Sequence, residues 1–198
     1  YYRGPDDRGI LEKTSVSLGF NRLSILDLSE AAHQPMTTAD GRYSLVFNGE
    51  IYNFLELRAD LEKRGENFRS SGDSEVVLKL FQHYGIESFK KLNGIFAICI
   101  WDETEKKVIL ARDHFGVKPL YYYKGNSDFI FASEIKAMLA HPRVLRKLDD
   151  EGALELLMMR YSFGPRTVID GLSKVLPGQC VQYDLKKQSI SSELFFRL

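Results

Sequence analysis

The chain alternates between two kinds of hydrophobic pattern. Apolar residues recur at helical spacing in four segments, which are residues 53–64, 74–84, 134–140 and 150–161. Residues 94–101 are apolar at both alternating sets of positions, so a strand there has no face for solvent. Three further segments share this two-faced pattern, which are residues 108–111, 119–123 and 129–132. Because short polar turns connect such strands, we expect an α+β sandwich of two antiparallel sheets between helical layers.

The apolar strand predicted over residues 43–51 carries polar groups near its end. Asn48, Gly49 and Glu50 offer a side-chain amide, an unobstructed backbone N–H and a carboxylate on consecutive residues. A carbonyl that becomes an oxyanion needs rigid donors of this kind. The same residues also fit a strand that ends in a glycine turn with Glu50 in solvent, so both interpretations stay open at this point. Asn53, just beyond, is placed to cap the helix that follows.

Three other polar residues have positions that fit either a structural or a functional role. Arg22 lies among apolar residues in the strand predicted over residues 16–26 and therefore needs an anion, either Asp27 or a ligand carboxylate. Asp73 begins the second helix, where a carboxylate can cap the first turn. His33 lies in a loop and is expected to form loop hydrogen bonds rather than to act as a base.

Composition and charge exclude several classes of function. With 198 residues, 44% of them hydrophobic and 12% aromatic, the chain is expected to fold as one domain around one core. Lys and Arg total 27, as do Asp and Glu, so no basic surface for nucleic acid or an anionic membrane is expected. No apolar run is long enough to span a membrane and the first residues are unlike a signal peptide, which predicts a cytoplasmic protein.

Few residues qualify as a nucleophile or a base. Cys99 and Cys180 lie far apart, without the spacing of a disulfide framework or a zinc site, so both are expected to be core residues and no metal site is predicted. His114 follows Arg112 and Asp113 in a loop between two buried strands. It would act as a base only if a nucleophile faced it, and the two charged residues before it are placed to pair with each other.

Seven short motifs follow one another along the chain. They occupy residues 3–7, 22–27, 34–36, 48–53, 73–76, 111–113 together with 116–122, and 131–137. Their sequences and their order resemble the glutaminase domain of glutamine-hydrolysing asparagine synthetases over nearly the whole chain. The Arg-Leu-Ser-Ile and Asn-Gly-Glu-Ile-Tyr-Asn sequences are more similar to this branch than to the phosphoribosyl or glucosamine-phosphate amidotransferases. The resemblance implies a four-layer αββα sandwich of antiparallel sheets, as in the N-terminal-nucleophile hydrolases.

The resemblance also implies roles in glutamine hydrolysis. The residues implied to bind the substrate glutamine are Arg22, Leu23, Leu26, Glu50 and Asp73. Arg22 would hold the α-carboxylate of glutamine, while Glu50 and Asp73 would hold its α-ammonium group. The side chain of Asn48 and the backbone N–H of Gly49 would form the oxyanion hole. Each role suits its residue, since a guanidinium matches a carboxylate and fixed neutral donors match a developing negative charge.

The resemblance assigns residues 1–190 to the amidotransferase domain. In this family the nucleophile is a cysteine at the mature N-terminus, whereas this chain begins with Tyr1. We therefore expect a missing N-terminal segment of roughly 20 to 30 residues and no activity from this chain alone. Residues 191–198 are expected to begin the linker to an absent synthetase domain, which would bind ATP, magnesium and aspartate. No cofactor is expected in the domain itself; its expected partners are glutamine and the synthetase domain, with a homodimer left open.

Two functions from different classes remain open. One is the glutaminase part of an asparagine synthetase, which supplies ammonia for ATP-dependent amidation of aspartate. The other is a non-catalytic scaffold or binding domain, as in β-lactam synthetase-like relatives that have lost the nucleophile. The retained glutamine-binding residues favour the enzyme, because residues that serve no ligand are expected to drift.

Overall fold

The computed structural model of the protein describes Gly4 and residues 6–22, 29–126 and 128–197. The strands are β1 (Asp7–Lys13), β2 (Val16–Arg22), β3 (Met36–Thr37), β4 (Tyr43–Ile51), β5 (Gly94–Asp102), β6 (Lys107–Arg112), β7 (Tyr121–Lys124), β8 (Phe129–Ala132), β9 (Leu172–Lys174), β10 (Gln179–Asp184) and β11 (Ser189–Leu194). The helices are α1 (Phe54–Lys63), α2 (Asp73–Tyr84), α3 (Ile135–Leu139) and α4 (Asp150–Met159), with 3₁₀ segments at Glu30–Ala32 and Gly85–Lys91. None of these helices is long and apolar enough to cross a membrane.

The strands form one large sheet and two small ones. The large sheet has six strands in the order β11-β10-β6-β5-β4-β3, while β1 and β2 form a hairpin and the third sheet has the order β8-β7-β9. Strands β4 and β5 pair along their whole lengths, from Tyr43 opposite Asp102 to Ile51 opposite Gly94. Because β4 continues to Ile51, Asn48, Gly49 and Glu50 lie inside this strand, paired with β5 on one side, and the alternative of an exposed terminal turn is wrong.

Buried side chains fill the spaces between four layers. Leu61 of α1 and Phe96 of β5 belong to the core between the helices α1 and α2 and the large sheet. Trp101 and Leu120 belong to a second core, between the large sheet and the two small sheets. Met138 of α3 packs on the outer face of the β8-β7-β9 sheet in a third core. The predicted α+β class, with two layers of sheet between helical layers, is confirmed.

The two-faced pattern predicts burial well for the large sheet and poorly for the small one. Residues 96–102 of β5 and 108–111 of β6 are buried. All four residues of β8 are only half-buried, because the helix on this side, α3, is five residues long. The predicted fourth helix ends at Met159 and buries only Gly152, so its apolar side chains do not cover the sheet as expected.

The ends of the domain differ from the prediction. Asp7 begins strand β1, for which the hydrophobic pattern predicted no element. Strand β11 pairs with β10 up to Leu194, and Phe195 packs against the rings of Phe89 and Phe96. Residues 191–195, expected in the linker, thus contact the large sheet and the core beneath it.

Helix α1 begins where the pattern predicts, but Asn53 does not cap it with its side chain. The Asn53 amide instead donates to the Lys91 carbonyl (3.0 Å) and accepts from the Asn93 N–H (2.9 Å). This pair of bonds connects the start of α1 to the segment that enters β5. At the other end, Gly65 has a φ of +92°, which explains why a glycine follows the helix.

Candidate active site

An open cavity of about 580 Å³ lies between β2 and β8, with β4 and β5 as its floor. Its walls include five of the predicted site residues, which are Arg22, Asn48, Gly49, Glu50 and Asp73. These come from β2, β4 and α2, so the fold brings together residues up to about 50 positions apart in the chain. Leu23 and Leu26, also predicted to bind glutamine, lie outside the described residues. Lys118, Ser133 and Glu134, which lie in two of the seven motifs but were given no role, complete the wall on the side of the small sheet.

The free edge of β4 shows how the Gly49 N–H is presented. The Phe47 N–H donates to Gln34 Oε1 (2.7 Å), and the Ile51 N–H donates to Asp73 Oδ2 (3.0 Å). Alternate residues of a strand direct their N–H groups to the same edge, so the Gly49 N–H points between these two bonds. No acceptor for it is found among the described residues. A backbone donor is thus left facing the cavity between two fixed neighbours.

Glycine at position 49 is required by packing. A Cβ atom there would lie 2.1 Å from the Ile95 carbonyl oxygen and 2.7 Å from the Phe96 Cα. The close approach of β4 and β5 therefore excludes any side chain. Because side chains alternate across a strand, Asn48 and Glu50 project from the same face of β4, toward the cavity. The Asn48 amide and the Gly49 N–H are consequently neighbouring donors on a strand that its pairing with β5 holds in place.

Two carboxylates lie together at this end of the cavity. Asp73 lies in the first turn of α2, where its carboxylate is a first-turn anion as the alternative interpretation allowed, and it is only 5% exposed. Its side chain also accepts from the Ile51 N–H of β4. Burial raises the pKa of the Asp73 carboxyl, and the charge of Glu50 raises it further, although the Ile51 N–H opposes the shift. Two mutually repelling carboxylates at a cavity wall favour a cationic ligand such as an ammonium group.

Arg22 supplies the opposite charge. It is the last residue of β2, is 8% exposed and donates from Nη1 to the Ser29 carbonyl at 3.4 Å. Asp27, which the sequence offered as an ion-pair partner of Arg22, lies outside the described residues. An arginine on β2 and carboxylates on β4 and α2 thus line one cavity. This distribution of charge suits a zwitterion such as an α-amino acid, with room beside it for a side chain that reaches the Asn48 and Gly49 donors.

Neither cysteine is placed as a nucleophile. Cys99 lies in the cavity floor but is 3% exposed and packs with Trp101 and Val108, and burial strongly raises the pKa of its thiol. Cys180 is fully buried, and burial, together with the charge of Glu193, raises its pKa to about 12. A thiol must lose its proton to attack, so both are poor nucleophiles. Their prediction as core residues is confirmed.

The charged loop after β6 is structural. Arg112 and Asp113 do not pair with each other as expected: Arg112 donates to three backbone carbonyls, whereas Asp113 accepts from backbone N–H groups that include those of Val117 and Lys118. The reason is that the loop turns its unpaired backbone groups inward, toward both side chains. His114 packs against Phe195 and Phe196 rather than facing a nucleophile, and burial lowers its pKa.

His33 is a hydrogen-bonding loop residue, as predicted. Its Nδ1 lies 2.5 Å from Asp7 Oδ2. The side chain borders a second open cavity of about 680 Å³, between residues 31–40 and 65–82. That cavity contains none of the residues that the family resemblance implies for glutamine binding or the oxyanion hole.

Comparison with known proteins identifies the family of the chain. A family model described as glutamine amidotransferase domain matches residues 1–195. The chain is 40% identical over 177 residues to asparagine synthetase [glutamine-hydrolyzing] 1 of Bacillus subtilis, a match that covers 89% of this chain and 28% of the relative. It is 36% identical over 219 residues to putative asparagine synthetase [glutamine-hydrolyzing] 2 of Methanocaldococcus jannaschii, covering all of this chain and 42% of the relative. The chain thus spans less than half of each of these relatives.

A solved structure supports the fold. Glutamine phosphoribosylpyrophosphate amidotransferase from B. subtilis, complexed with ADP and GMP, matches with a TM-score of 0.64 at 22% identity, over 92% of this chain and 35% of that one. At this identity the likeness concerns the fold alone, which agrees with the layered sheets described above. Taken with the family match over residues 1–195, these findings show that the chain belongs to the glutamine amidotransferase domain family.

Proposed function

We propose that this chain is the glutaminase part of a glutamine-hydrolysing asparagine synthetase. It hydrolyses glutamine to glutamate, and the ammonia serves the ATP-dependent amidation of aspartate elsewhere in the protein. The observation that carries this proposal is the cavity over β4, where an arginine, two carboxylates and two oxyanion donors converge. The identity to asparagine synthetases at 36–40% supports the choice of acceptor. We assign the binding of ATP and Mg²⁺ to the synthetase domain. We place the protein in the cytoplasm.

In the substrate complex, the charges orient free glutamine. Arg22 holds the α-carboxylate, and Glu50 and Asp73 hold the α-ammonium group. The side-chain amide then reaches along β4, with its carbonyl oxygen beside the Asn48 amide and the Gly49 N–H. These donors are fixed before the substrate arrives, so they stabilise the oxyanion without reorganising during the reaction.

The chemical step is acyl transfer to a cysteine thiolate. The thiolate attacks the amide carbon, the carbonyl electrons move to oxygen, and the tetrahedral intermediate collapses as the C–N bond breaks and the nitrogen leaves, protonated, as ammonia. Water then hydrolyses the thioester to glutamate and regenerates the thiol. Since Cys99 and Cys180 are buried with raised pKa values, we propose neither of them as the attacking thiol.

The burial of the Cys99 and Cys180 thiols favours a second candidate function, a binding domain that senses glutamine without hydrolysing it. Both candidates need the charged clamp, whereas only the enzyme needs the oxyanion donors. Glutamate release by the protein in its natural length separates them directly. Release of glutamate supports the enzyme, and glutamine binding without release supports the sensor.

Arg22→Ala tests the substrate assignment. Loss of a desolvated charge partner costs about 2–5 kcal/mol, so the KM for glutamine should rise about 30-fold or more. Because Arg22 is remote from the scissile amide, kcat should change less, and synthesis from added ammonia should be unaffected. Arg42→Ala is the matched control, since Arg42 pairs with Asp102 outside the cavity. An unchanged KM in Arg22→Ala, or equal loss of ammonia-dependent synthesis, would contradict the assignment.

A further inference from the structure

The geometry points to Gln34 as a positioning residue for the hydrolysis of glutamine, an inference that rests on the proposed function. Gln34 is 4% exposed and its side-chain amide makes three hydrogen bonds. Oε1 accepts from the Phe47 N–H (2.7 Å), while Nε2 donates to the Phe47 carbonyl (3.2 Å) and to Ser74 Oγ (3.2 Å). One amide thus connects the strand that carries the oxyanion donors to the helix turn that carries Asp73.

The Gln34 side chain replaces a missing strand residue. In the β3–β4 ladder, Met36 lies opposite Leu45, so continuing the register places Gln34 opposite Phe47. The backbone of Gln34 does not continue the ladder, because its carbonyl lies against Gly9 of β1, where a Cβ atom would be 1.7 Å away. The side chain instead supplies the donor and the acceptor that the next residue of a strand would have presented to Phe47.

The hydrogen bonds of Gln34 lie next to both the oxyanion donors and Asp73. Asn48 and Gly49 directly follow Phe47, and Ser74 directly follows Asp73. Loss of the amide would free the β4 edge next to the oxyanion donors and remove a link to the first turn of α2. A buried backbone N–H without a partner is costly, so the strand would shift to satisfy it. Gln34 therefore sets the distance between the oxyanion hole and one carboxylate that holds the ammonium group.

The chain offers a matched control in Asn53. Its amide also bonds one backbone N–H and one carbonyl of another segment, with similar distances (2.9 and 3.0 Å). Asn53 lies beyond the end of β4 and does not line the cavity. A general loss of stability should appear in both Gln34→Leu and Asn53→Leu, whereas loss of catalytic geometry should appear only in the first.

The test compares steady-state glutaminase kinetics and thermal unfolding of the protein in its natural length. Gln34→Leu should lower kcat about 10- to 100-fold and raise the KM for glutamine, since misplacement by about 1 Å costs up to 100-fold. Ser74→Ala, which cuts only the link to α2, should raise KM with little change in kcat. Asn53→Leu should lower the Tm and leave both constants within about twofold.

The proposal is overturned if Gln34→Leu and Asn53→Leu have the same kcat and KM at a temperature where both are folded. If Gln34→Leu does not fold, Gln34→Glu carries the test, because it keeps the acceptor for the Phe47 N–H and loses both donors. It must then differ from Asn53→Leu in kcat or KM by about fivefold or more, or the proposal fails. Wild-type protein without glutaminase activity would contradict the proposed function instead, and is thereby distinguished from failure of this inference.

Discussion

Gly49→Ala tests the oxyanion hole through a single methyl group. The added Cβ would lie 2.1 Å from the Ile95 carbonyl oxygen, whereas real Cβ contacts essentially never fall below 3.0 Å. Strands β4 and β5 must therefore separate locally by about 1 Å. The Gly49 N–H moves with its strand, while Arg22 on β2 and Asp73 on α2 stay in place.

The expected loss follows from this displacement. A misplacement of about 1 Å typically costs about 100-fold in rate, or about 2.7 kcal/mol of transition-state stabilisation. The loss should fall on kcat rather than KM, because the donors act mainly on the oxyanion. Overpacking also costs about 1–3 kcal/mol of folding stability, which corresponds to a fall in Tm of about 2–12 °C in a domain of this size.

Gly19→Ala is the control, since Gly19 lines the same cavity and a Cβ there meets nothing within 4 Å. Both variants should be assayed for glutamate release at 25 °C in the protein of natural length, with unfolding followed by circular dichroism. Gly19→Ala should match the wild type. If Gly49→Ala were folded and kept a kcat within about threefold of Gly19→Ala, the Gly49 N–H would not be an oxyanion donor.

Two further predictions concern ionisation. The pKa of Asp73 is raised above its ordinary value of 3.8, so the folded protein holds this proton to higher pH than the unfolded chain, and the stability contributed by the residue falls as the pH rises through the folded-state pKa. Asp73→Asn should therefore have a higher Tm than the wild type at pH 7, and the difference should shrink toward pH 4. Its KM for glutamine should be higher. A Tm of Asp73→Asn at or below that of the wild type at pH 7 would refute the burial argument. Cys99→Ser and Cys180→Ser should each retain the wild-type kcat, because neither thiol is the nucleophile. In the intact protein, mass spectrometry should show that both thiols react slowly with iodoacetamide at pH 8. A kcat abolished in either serine variant would show that the nucleophile was misassigned.

The parts of the fold that the sequence predicted well are those with strong hydrophobic periodicity. Helices α1 and α2 begin within one residue of the predicted positions, and the buried strand β5 has no solvent face, as expected. Residues 191–194 of strand β11 were placed in a linker by the family resemblance. Nearly all residues of this strand are exposed, so no hydrophobic alternation marks it. Strand β1 is likewise mostly polar at an outer position. Edge strands are held by backbone pairing, which leaves little trace in side-chain pattern.

The site divides in the same way. Asn48, Gly49 and Glu50 stood out because they interrupt an apolar strand, but their roles and that of Asp73 were implied only by the family resemblance. The contribution of Gln34 was not predictable, since it depends on the path of the chain past Gly9 in β1, far away in sequence. The expected pair of Arg112 and Asp113 failed for a related reason. Sequence neighbours with opposite charge suggest a pair, but the loop backbone offers both side chains more hydrogen bonds than they offer each other.

The most direct test of the account is a crystal structure of the protein in its natural length with the reaction product L-glutamate. We expect the α-carboxylate on Arg22 and the α-ammonium group between Glu50 and Asp73. One γ-carboxylate oxygen should lie about 3 Å from the Asn48 amide nitrogen and the Gly49 nitrogen. Glutamate bound in the opposite orientation, or only in the cavity beside His33, would contradict the proposed active site.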